Sequence, residues 1–407
     1  MPVVVTGMGA VTPAGNSVEE FRRSVWGGHS AVGELSGGEL QGGKARLAAQ
    51  VKDFLPPGLL SLRELGRMDR AAQMAVAAID QALTDARLSP RDCQEETGRW
   101  TGVVMGTGVG NAHAIGQSYF AYFSRKSTSV HNIPSCMPHS AAAVAGIRFG
   151  LTGPSFTVSA ACASGAVAIG MAFELIRAGM ADTMLAGGCD ASITPIHLDN
   201  WRCLGVLAKG DGEPGKAVRP FSRDREGFVL GEGAAVVVLE KLESALRRGA
   251  TIYGEVLGYG FSSDAMHLTA PSVCGQSKAM ANALAAAGLA PGEVDYINAH
   301  GTGTVLNDQA ETAAIRRVFG NAVPPVSSIK PVTGHMLGAS SAVELVASVL
   351  AVRDGVIPPT INLTEADPDC DLDFVVEGPR DVDARVAVSN SFAFGGNNAV
   401  LVVRRFE

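Results

Sequence analysis

The apolar positions along this chain follow two alternating spacings. Short runs rich in Val, Ile and Thr predict strands at residues 3–6, 101–105, 156–158, 183–185, 234–239, 253–257, 295–298, 385–389 and 399–403. Between them, apolar residues at helical spacing predict helices at residues 65–88, 166–177, 276–287, 307–319 and 342–352. Strands that alternate with helices indicate an α/β protein with mainly parallel, helix-covered sheets.

The strand and helix pattern begins a second cycle near residue 250. A chain of 407 residues is long for one average domain and suggests two units. We therefore expect an N-terminal half over residues 1–250 and a C-terminal half over residues 251–407.

Composition excludes several classes of protein. Hydrophobic residues make up 46% of the chain and charged residues 18%, which predicts a folded, globular protein. A net charge of −7 argues against general nucleic-acid binding. The longest apolar window, residues 158–176, contains Ser159, Ser164 and Glu174, so it predicts a buried helix and no membrane span. The seven cysteines form no CxxC pair, which favours a reducing cytoplasm over disulfides or structural zinc.

One cysteine stands in a setting that suggests chemistry. Cys162 lies in Ser159-Ala-Ala-Cys162-Ala-Ser-Gly165, between a predicted strand and the N-terminus of a predicted apolar helix. The positive end of a helix dipole favours a thiolate, and small neighbours leave room for a ligand. A buried structural cysteine is the alternative, and it applies to most of the other six. The context of Cys162 favours a nucleophile.

Two histidines downstream lie in glycine-rich turns. His300 begins His300-Gly-Thr-Gly-Thr304, a loop rich in amides and hydroxyls, and His335 ends Lys330-Pro-Val-Thr-Gly-His335 before a helix that carries Glu344. A single histidine in a turn is more often solvated or capping. Together with Cys162, the pair indicates thioester chemistry. A dinucleotide site at Gly7-Met-Gly9 is not supported, because position 12 is Thr where the fingerprint needs its third glycine.

These motifs, in this order, resemble the β-ketoacyl-acyl carrier protein synthases of dissociated fatty acid and polyketide synthases. The resemblance spans nearly the whole chain. Besides the cysteine and histidine motifs it includes Val5-Thr-Gly-Met-Gly9, the segment from Arg219 through Phe228 to Gly233, and Asn390-Ser-Phe-Ala-Phe394-Gly-Gly-Asn-Asn398. It implies a thiolase-like, five-layered αβαβα fold of two similar halves, which functions as a dimer.

The resemblance also assigns roles to residues. It implies that Cys162 takes the acyl chain as a thioester, while His300 and His335 assist the decarboxylation of a malonyl-carrier protein thioester. Lys330 and Glu344 resemble the family's buried ion pair, with a surface salt bridge as the alternative. Backbone amides of Cys162 and Phe394 would form the oxyanion hole. The remaining substrate-binding positions that it implies are Thr302, Thr304, Phe228, Phe392, Phe394 and Val109.

The resemblance implies partners but no cofactor and no metal. Acyl carrier protein would bring the substrates, and basic candidates for its docking are Lys126, Arg202, Arg67 and Lys209, each of which could equally be ordinary solvated surface. The segment from Thr304 to Thr312 is similar to polyketide ketosynthases, which pair with a chain-length-factor subunit, so a homodimer and a heterodimer are both open. A non-catalytic length-setting subunit would lack Cys162. A thiolase would need a second cysteine that the His335 motif does not supply.

Overall fold

The computed structural model describes residues 1–36, 47–56, 58–89, 100–127, 129–210 and 212–407, and Cys93 lies outside them. The strands are β1 (Val3–Val11), β2 (Gly33–Glu34), β3 (Leu47–Ala48), β4 (Thr101–Gly106), β5 (Ser155–Val158), β6 (Thr183–Asp190), β7 (Gly233–Lys241), β8 (Gly254–Ser263), β9 (Tyr296–Asn298), β10 (Val326–Ser327), β11 (Val356–Ile357), β12 (Arg380–Asp381), β13 (Val386–Phe392) and β14 (Asn397–Arg404). Every strand that the sequence pattern predicts is present.

A helix is present at each of the five predicted places, and the described residues contain further helices that the pattern did not predict. The helices are α1 (Val18–Trp26), α2 (Leu62–Leu65), α3 (Arg70–Asp85), α4 (Ala112–Phe123), α5 (Asn132–Cys136), α6 (Ser140–Phe149), α7 (Ser164–Arg177), α8 (Pro195–Cys203), α9 (Leu242–Arg247), α10 (Val273–Ala287), α11 (Val305–Phe319), α12 (Lys330–Thr333) and α13 (Ser340–Asp354). Short 3₁₀ turns include Ala161–Ala163, Leu337–Ala339 and Phe394–Gly396. The described residues contain no helix with the length and apolar character needed to cross a bilayer.

One predicted helix needs correction. The helix expected over residues 65–88 is split, because Asp69 caps a new helix with its carboxylate, which accepts the amide of Ala71 at 2.8 Å. α3 therefore begins at Arg70, and it ends at Asp85 just before Arg87 adopts a positive φ of 54°.

The principal sheet repeats one pattern of pairing in its two halves. Its strand order is β10-β9-β13-β14-β8-β1-β7-β6-β4-β5. In the first half, β1–β7 and β7–β6 are antiparallel, and β6–β4 and β4–β5 are parallel. In the second half, β8–β14 and β14–β13 are antiparallel, and β13–β9 and β9–β10 are parallel. The sheets are therefore mixed, and the halves share one topology.

Five layers result from the packing of helices on these two halves. The halves join where residues 3–5 of β1 pair with residues 254–256 of β8. Between the halves lie α7, which packs on β6 and β4, and α13, which packs on β13 and β7. Helices α3 and α6 cover the outer face of the first half, and α10 and α11 cover that of the second. The order is thus αβαβα, with the largest core cluster around the two central helices.

The glycines of the Gly7-Met-Gly9 segment serve packing. α3 lies directly against β1, and a Cβ on either glycine would overlap the backbone of Ala82 or Ala78. The requirement for glycine therefore comes from the contact between helix and sheet.

Candidate active site

The proposed nucleophile lies in a tight turn between the first half-sheet and the central helix layer. After β5, Ala161 adopts a positive φ of 47°, an uncommon conformation for a residue with a Cβ, and the 3₁₀ turn leads Cys162 into α7. The Ser164 hydroxyl accepts the amide of Ala160 at 2.8 Å and donates to the carbonyl of Ala161 at 2.6 Å. These bonds fix the turn and leave Cys162 at the helix N-terminus, as the sequence predicts.

A second turn with the same structure precedes α13. Leu337 has a positive φ of 49°, a 3₁₀ turn follows, and the Ser340 hydroxyl accepts the amide of Met336 at 2.8 Å. Cys162-Ala-Ser-Gly-Ala-Val and Gly338-Ala-Ser-Ser-Ala-Val occupy equivalent places in the two halves. This local repeat is too short to stand out in the sequence, and only the shared topology reveals it.

The two turns place the cysteine and both histidines together. The Nε2 of His335 lies 3.1 Å from the Sγ of Cys162. One ligand atom from each of Cys162, His300 and His335 lies within 4.8 Å of the others. The rings of His300 and His335 meet edge to face with centroids 5.5 Å apart. All three residues are buried. The sequence-based grouping of these residues is therefore present in the fold.

Lys330 and Glu344 form a fully buried ion pair beside His300, which excludes the surface salt bridge. The Lys330 Nζ donates to a Glu344 carboxylate oxygen and to the carbonyl of His300, and it lies 3.3 Å from the Nδ1 of His300. Because the Lys330 side chain is a donor, the Nδ1 of His300 accepts. A neutral His300 ring therefore carries its hydrogen on Nε2.

Burial determines the protonation of these groups. Desolvation, reinforced by the charge of Lys330, holds the pKa of His300 and that of His335 well below the usual 6.5, so both rings are neutral. Burial raises the pKa of the Cys162 thiol to about 12, although Lys330 and the Cys162 amide act in the opposite direction. Burial therefore acts against the helix terminus, which by itself favours the thiolate, and the balance favours the thiol.

The loop that carries His300 is held by a carboxylate that sequence reasoning missed. Glu311 on α11 is fully buried and accepts the amides of His300 and Gly301, each at 2.8 Å. Burial raises the pKa of Glu311 to about 7. The two hydrogen bonds fix the backbone on which the His300 ring stands. A glutamate in the second turn of an amphipathic helix gives no signal of this role.

A second missed carboxylate, Asp190, joins the turn before α13 to the loop after β4. Asp190, at the end of β6, is fully buried and accepts the amides of Gly108, Val109 and Gly338 at 2.7 to 3.1 Å. It also accepts the hydroxyl of Thr107 at 2.9 Å. Burial raises the pKa of Asp190 to about 6 despite these donors. Asp190 therefore connects the loop after β4 with the turn that follows His335.

A cavity of about 330 Å³ opens onto the three reactive side chains. Of the sequence-predicted substrate residues, it is lined by Phe228, Phe392, Phe394, Thr302 and Thr304. The Thr302 and Thr304 hydroxyls lie 2.9 Å apart at one wall. Val109 is not among its lining residues; it packs against the apolar cluster that contains Cys162.

Trp201 is an aromatic member of this cavity that sequence reasoning missed. Its ring stacks on Phe394 with centroids 5.8 Å apart and meets Phe228 edge to face at 5.7 Å. Phe228 in turn meets the ring of His335 at 5.0 Å. Aromatic rings thus form a continuous wall from the half-buried Phe394 to the ring of His335. An isolated Trp in a helix carries no such signal in the sequence.

Two of the four basic residues predicted for docking lie beside the cavity. Arg202 adjoins Trp201 and pairs with Asp199 at 2.8 Å, and Lys209 pairs at 3.2 Å with Glu226, which lines the cavity. Lys126 and Arg67 do not line it. Lys126 is exposed after α4 with its Nζ 5.2 Å from the ring centroid of Phe120, and Arg67 is half-buried between α2 and α3.

The cysteine and two histidines have a spacing that could also hold a metal ion, since thiolate and imidazole are the ligands that zinc prefers. Such an ion would be bound by the cysteine sulfur and the two Nε2 atoms, since the Nδ1 of each histidine has a hydrogen-bond partner.

A five-layered αβαβα fold, with a buried cysteine at the start of one central helix and two histidines beside it, defines a thiolase-like condensing enzyme. The model for the N-terminal domain of β-ketoacyl synthases matches residues 1–245, and that for the C-terminal domain matches residues 253–364. The chain therefore belongs to the β-ketoacyl synthase family and is an acyltransferase.

Relatives and solved structures match this chain over nearly its full length. The chain is 40% identical to 3-oxoacyl-[acyl-carrier-protein] synthase 2 of Synechocystis, covering 100% of this chain and 98% of the relative. It is 44% identical to nodulation protein E of Rhizobium meliloti, covering 99% of each. The ishigamide ketosynthase/chain length factor superposes with a TM-score of 0.93 at 38% identity, covering 100% of this chain and 99% of that one. A type II polyketide ketosynthase, in complex with its acyl-carrier protein and bound to the hexaketide, superposes with a TM-score of 0.90 at 33% identity, covering 100% of this chain and 99% of that one.

Proposed function

We propose that this protein elongates acyl chains by condensing an acyl thioester held on Cys162 with a malonyl thioester held on acyl carrier protein. The observation that carries the proposal is the 3.1 Å approach of the His335 Nε2 to the Cys162 Sγ, with His300 in the same cluster. A thiol that faces two neutral imidazoles suits covalent capture of an acyl group followed by stabilisation of an enolate.

The first half-reaction is thioester exchange. The sulfur of Cys162 attacks the carbonyl of the acyl-carrier thioester, the bond from carbon to the pantetheine sulfur breaks, and the cysteine proton ends on the departing thiol. The backbone amides of Cys162 and Phe394 would hold the transient oxyanion. The Cys162 amide belongs to the same residue as the reacting sulfur, in the turn that enters α7.

The second half-reaction forms the carbon–carbon bond. The malonyl thioester loses carbon dioxide as its electron pair moves towards the thioester carbonyl, and the imidazole hydrogens of His300 and His335 would stabilise that oxygen. The enolate carbon then attacks the acyl thioester on Cys162. The new carbon–carbon bond forms, the bond to Cys162 breaks, and the sulfur regains a proton from water.

We assign the residues that line the cavity to different parts of the substrate. Thr302 and Thr304 present adjacent hydroxyls that could hold the amides of a phosphopantetheine arm. Phe228, Phe392 and Phe394 would border the acyl and malonyl groups near the sulfur. Val109 lies in the apolar cluster with Cys162 and would contact the acyl chain beyond the thioester.

We propose acyl carrier protein as the partner that delivers both substrates, docking on Lys126, Arg202, Arg67 and Lys209. Arg202 and Lys209 adjoin residues of the cavity, so an acidic carrier could bind them while its arm reaches Cys162. Charge reversal by Arg202→Glu should raise KM for the carrier, more at low than at high salt, with a small change in kcat. An unchanged KM would show that Arg202 is not part of the docking surface.

We further propose a dimer, either of this chain or with a chain-length-factor subunit. β5 is an edge strand of the principal sheet, and α4 nearby exposes Tyr119, Phe120, Tyr122 and Phe123. An unpaired edge strand with a large exposed apolar face is a surface that association covers. The mass of the purified protein in solution, alone and after co-expression with a partner subunit, distinguishes the two assemblies.

Three further properties belong to the proposal. The chain divides into units over residues 1–250 and 251–407, since all strands of the first half-sheet precede residue 250 and all strands of the second follow it. The protein acts in the cytoplasm, and the six described cysteines are free. The reaction uses no cofactor or metal, so dialysis against a chelator should leave condensation unchanged.

The test of the proposed function is the intact mass of the protein after incubation with a panel of acyl-carrier proteins. A mass increase that Cys162→Ala abolishes establishes the acyl-enzyme and identifies the chain lengths that load. Addition of malonyl-carrier protein should then release carbon dioxide and the elongated product. Condensation by the Cys162→Ala variant would overturn the assignment of the nucleophile. Absence of any adduct, with or without a co-expressed partner subunit, would overturn the proposed function.

A further inference from the structure

We infer that Ser340 is a positioning residue that fixes the His335 ring with its Nε2–H directed at the reacting centre. The inference rests on the proposed function for its catalytic consequence, but its geometry stands alone. The Ser340 Oγ lies 2.9 Å from the Nδ1 of His335, and the opposite ring nitrogen lies 3.1 Å from the Cys162 Sγ. Ser340 therefore contacts the nitrogen that faces away from the chemistry.

The hydrogen bonds of Ser340 determine which nitrogen of His335 carries the hydrogen. A hydroxyl has one hydrogen to donate, and the amide of Met336 already donates to the Ser340 oxygen at 2.8 Å. If the Nδ1 of His335 also donated to it, the hydroxyl hydrogen would face no other acceptor within the described residues. Ser340 is 1% exposed, and an unsatisfied buried donor costs about 1–3 kcal/mol. The hydroxyl therefore donates to Nδ1, and the neutral ring carries its hydrogen on Nε2.

The related turn of the first half shows that the backbone role and the ring role of this serine are separate. Ser164 has the equivalent position and likewise accepts the amide four residues before it, from Ala160 at 2.8 Å. Its hydroxyl donates to the carbonyl of Ala161, whereas the equivalent hydroxyl of Ser340 reaches His335. The serine thus caps the turn in both halves, and only in the second does it also orient an imidazole.

The tautomer decides which half-reaction His335 can serve. During decarboxylation the electron pair of the breaking carbon–carbon bond moves onto the thioester oxygen, and only an N–H at Nε2 can stabilise it. A ring with its hydrogen on Nδ1 would present a lone pair to that oxygen. The same lone pair could accept the proton of Cys162, which would favour acylation instead. Loss of the Ser340 hydroxyl should therefore impair decarboxylation selectively.

The experiment compares Ser340→Ala with Ser340→Thr, which keeps the hydroxyl, and with Ser164→Ala, which removes the equivalent cap. We expect Ser340→Ala to slow carbon dioxide release from malonyl-carrier protein about tenfold, the loss for one hydrogen bond of ordinary strength. Loading of Cys162, followed by intact mass, should change less than about threefold in this variant. Ser340→Thr should restore decarboxylation. Ser164→Ala, which touches no histidine, should instead slow loading.

A spectroscopic measurement tests the inference without any turnover. The ¹⁵N ring signals of His335, assigned by their loss in His335→Gln, should show the Nε2–H tautomer in the unaltered protein and a mixture in Ser340→Ala. A His335 ring protonated on Nδ1 in the unaltered protein would overturn the inference, as would equal loss of loading and decarboxylation in Ser340→Ala. If the unaltered protein shows the Nε2–H tautomer but neither loads nor decarboxylates, the proposed function fails and the positioning role of Ser340 stands.

Discussion

The Sγ of Cys162 and the Nε2 of His335 lie 3.1 Å apart although 173 residues separate them in the chain. Each residue belongs to a turn that enters a central helix, α7 or α13, and the two turns repeat the same 3₁₀ geometry. The reactive pair is therefore a consequence of two similar halves packed with their central helices side by side.

The two histidines should affect one half-reaction more than the other. His300→Ala and His335→Ala are each expected to slow decarboxylation of malonyl-carrier protein by about 10²–10³, the usual effect of removing one oriented donor at a developing oxyanion. Loading of Cys162 should fall far less, because in the proposed mechanism backbone amides stabilise its oxyanion. Carbon dioxide release and intact mass measure the two steps. His29→Ala, at an exposed histidine, is the control, and equal losses in both steps would contradict the division of roles.

The buried pair of Lys330 and Glu344 should stabilise the fold and orient the His300 ring, and variants can separate these two effects. Glu344→Gln leaves the Lys330 charge without its partner, and we expect the free energy of unfolding to fall by about 3–5 kcal/mol. The double variant Lys330→Met with Glu344→Leu should regain much of that stability but not decarboxylation, since the Nδ1 of His300 loses its donor.

Chemical denaturation and carbon dioxide release would be measured on the same samples. Arg177→Met breaks the exposed pair with Glu174 and serves as the control, with an expected loss below about 1 kcal/mol. A double variant that decarboxylates at the original rate would show that Lys330 does not orient His300.

The buried carboxyls predict a stability that depends on pH. Burial raises the pKa of Glu311 and of Glu344 to about 7 from 4.5, so the folded protein binds more protons than the unfolded chain between those values. Their stabilising contribution is present below pH 4.5 and is lost as the pH rises to about 7. His300 and His335, whose pKa values are lowered, act in the opposite direction below pH 6.5.

Replacement of one carboxyl isolates its contribution. In Glu311→Gln, the free energy of unfolding should fall less steeply between pH 5 and pH 7 than in the unaltered protein, because one proton-binding group is gone. Denaturant titrations at several pH values give this slope. Glu19→Gln, at an exposed position of α1, should leave it unchanged, and a steeper fall in Glu311→Gln would show that the sign is wrong.

Replacing Asp190 should have two opposite effects. Loss of its charge should make the Cys162 thiol easier to ionise, and loss of its hydrogen bonds should slow the reaction. Its negative charge raises the pKa of the Cys162 thiol, so Asp190→Asn should move alkylation of that cysteine by iodoacetamide to lower pH. The same change removes one of the carboxylate acceptors for the Gly108, Val109 and Gly338 amides and should slow condensation.

Peptide mass spectrometry separates the alkylation of Cys162 from that of the other cysteines. Glu240→Gln is the matched control, because the Glu240 carboxylate, on the strand beside the opposite end of β6, is also buried but binds Thr6 and Arg248. If Asp190→Asn slows both the alkylation of Cys162 and the condensation reaction, Asp190 has only a structural role.

The sequence by itself determined the elements and the reactive residues. Runs of β-branched residues and helical spacing predicted the strands and the main helices, because local propensity and burial pattern act on neighbouring positions. Cys162, His300 and His335 were found because each stands in a motif of unusual small residues, and the ion pair of Lys330 and Glu344 followed from the family resemblance.

Tertiary structure alone decided the environment of those residues. Asp190 and Trp201 contact the other half of the protein, and nothing in their local sequence records partners such as Gly338, 148 positions from Asp190. Ser340 and Glu311 contact histidines only 5 and 11 positions away, but only the folded turns bring those groups together. The same junction buries Cys162, and this burial raises the pKa of a thiol whose position at a helix N-terminus favours the thiolate. Protonation depends on the depth of burial and on the charges nearby, which a linear sequence does not specify.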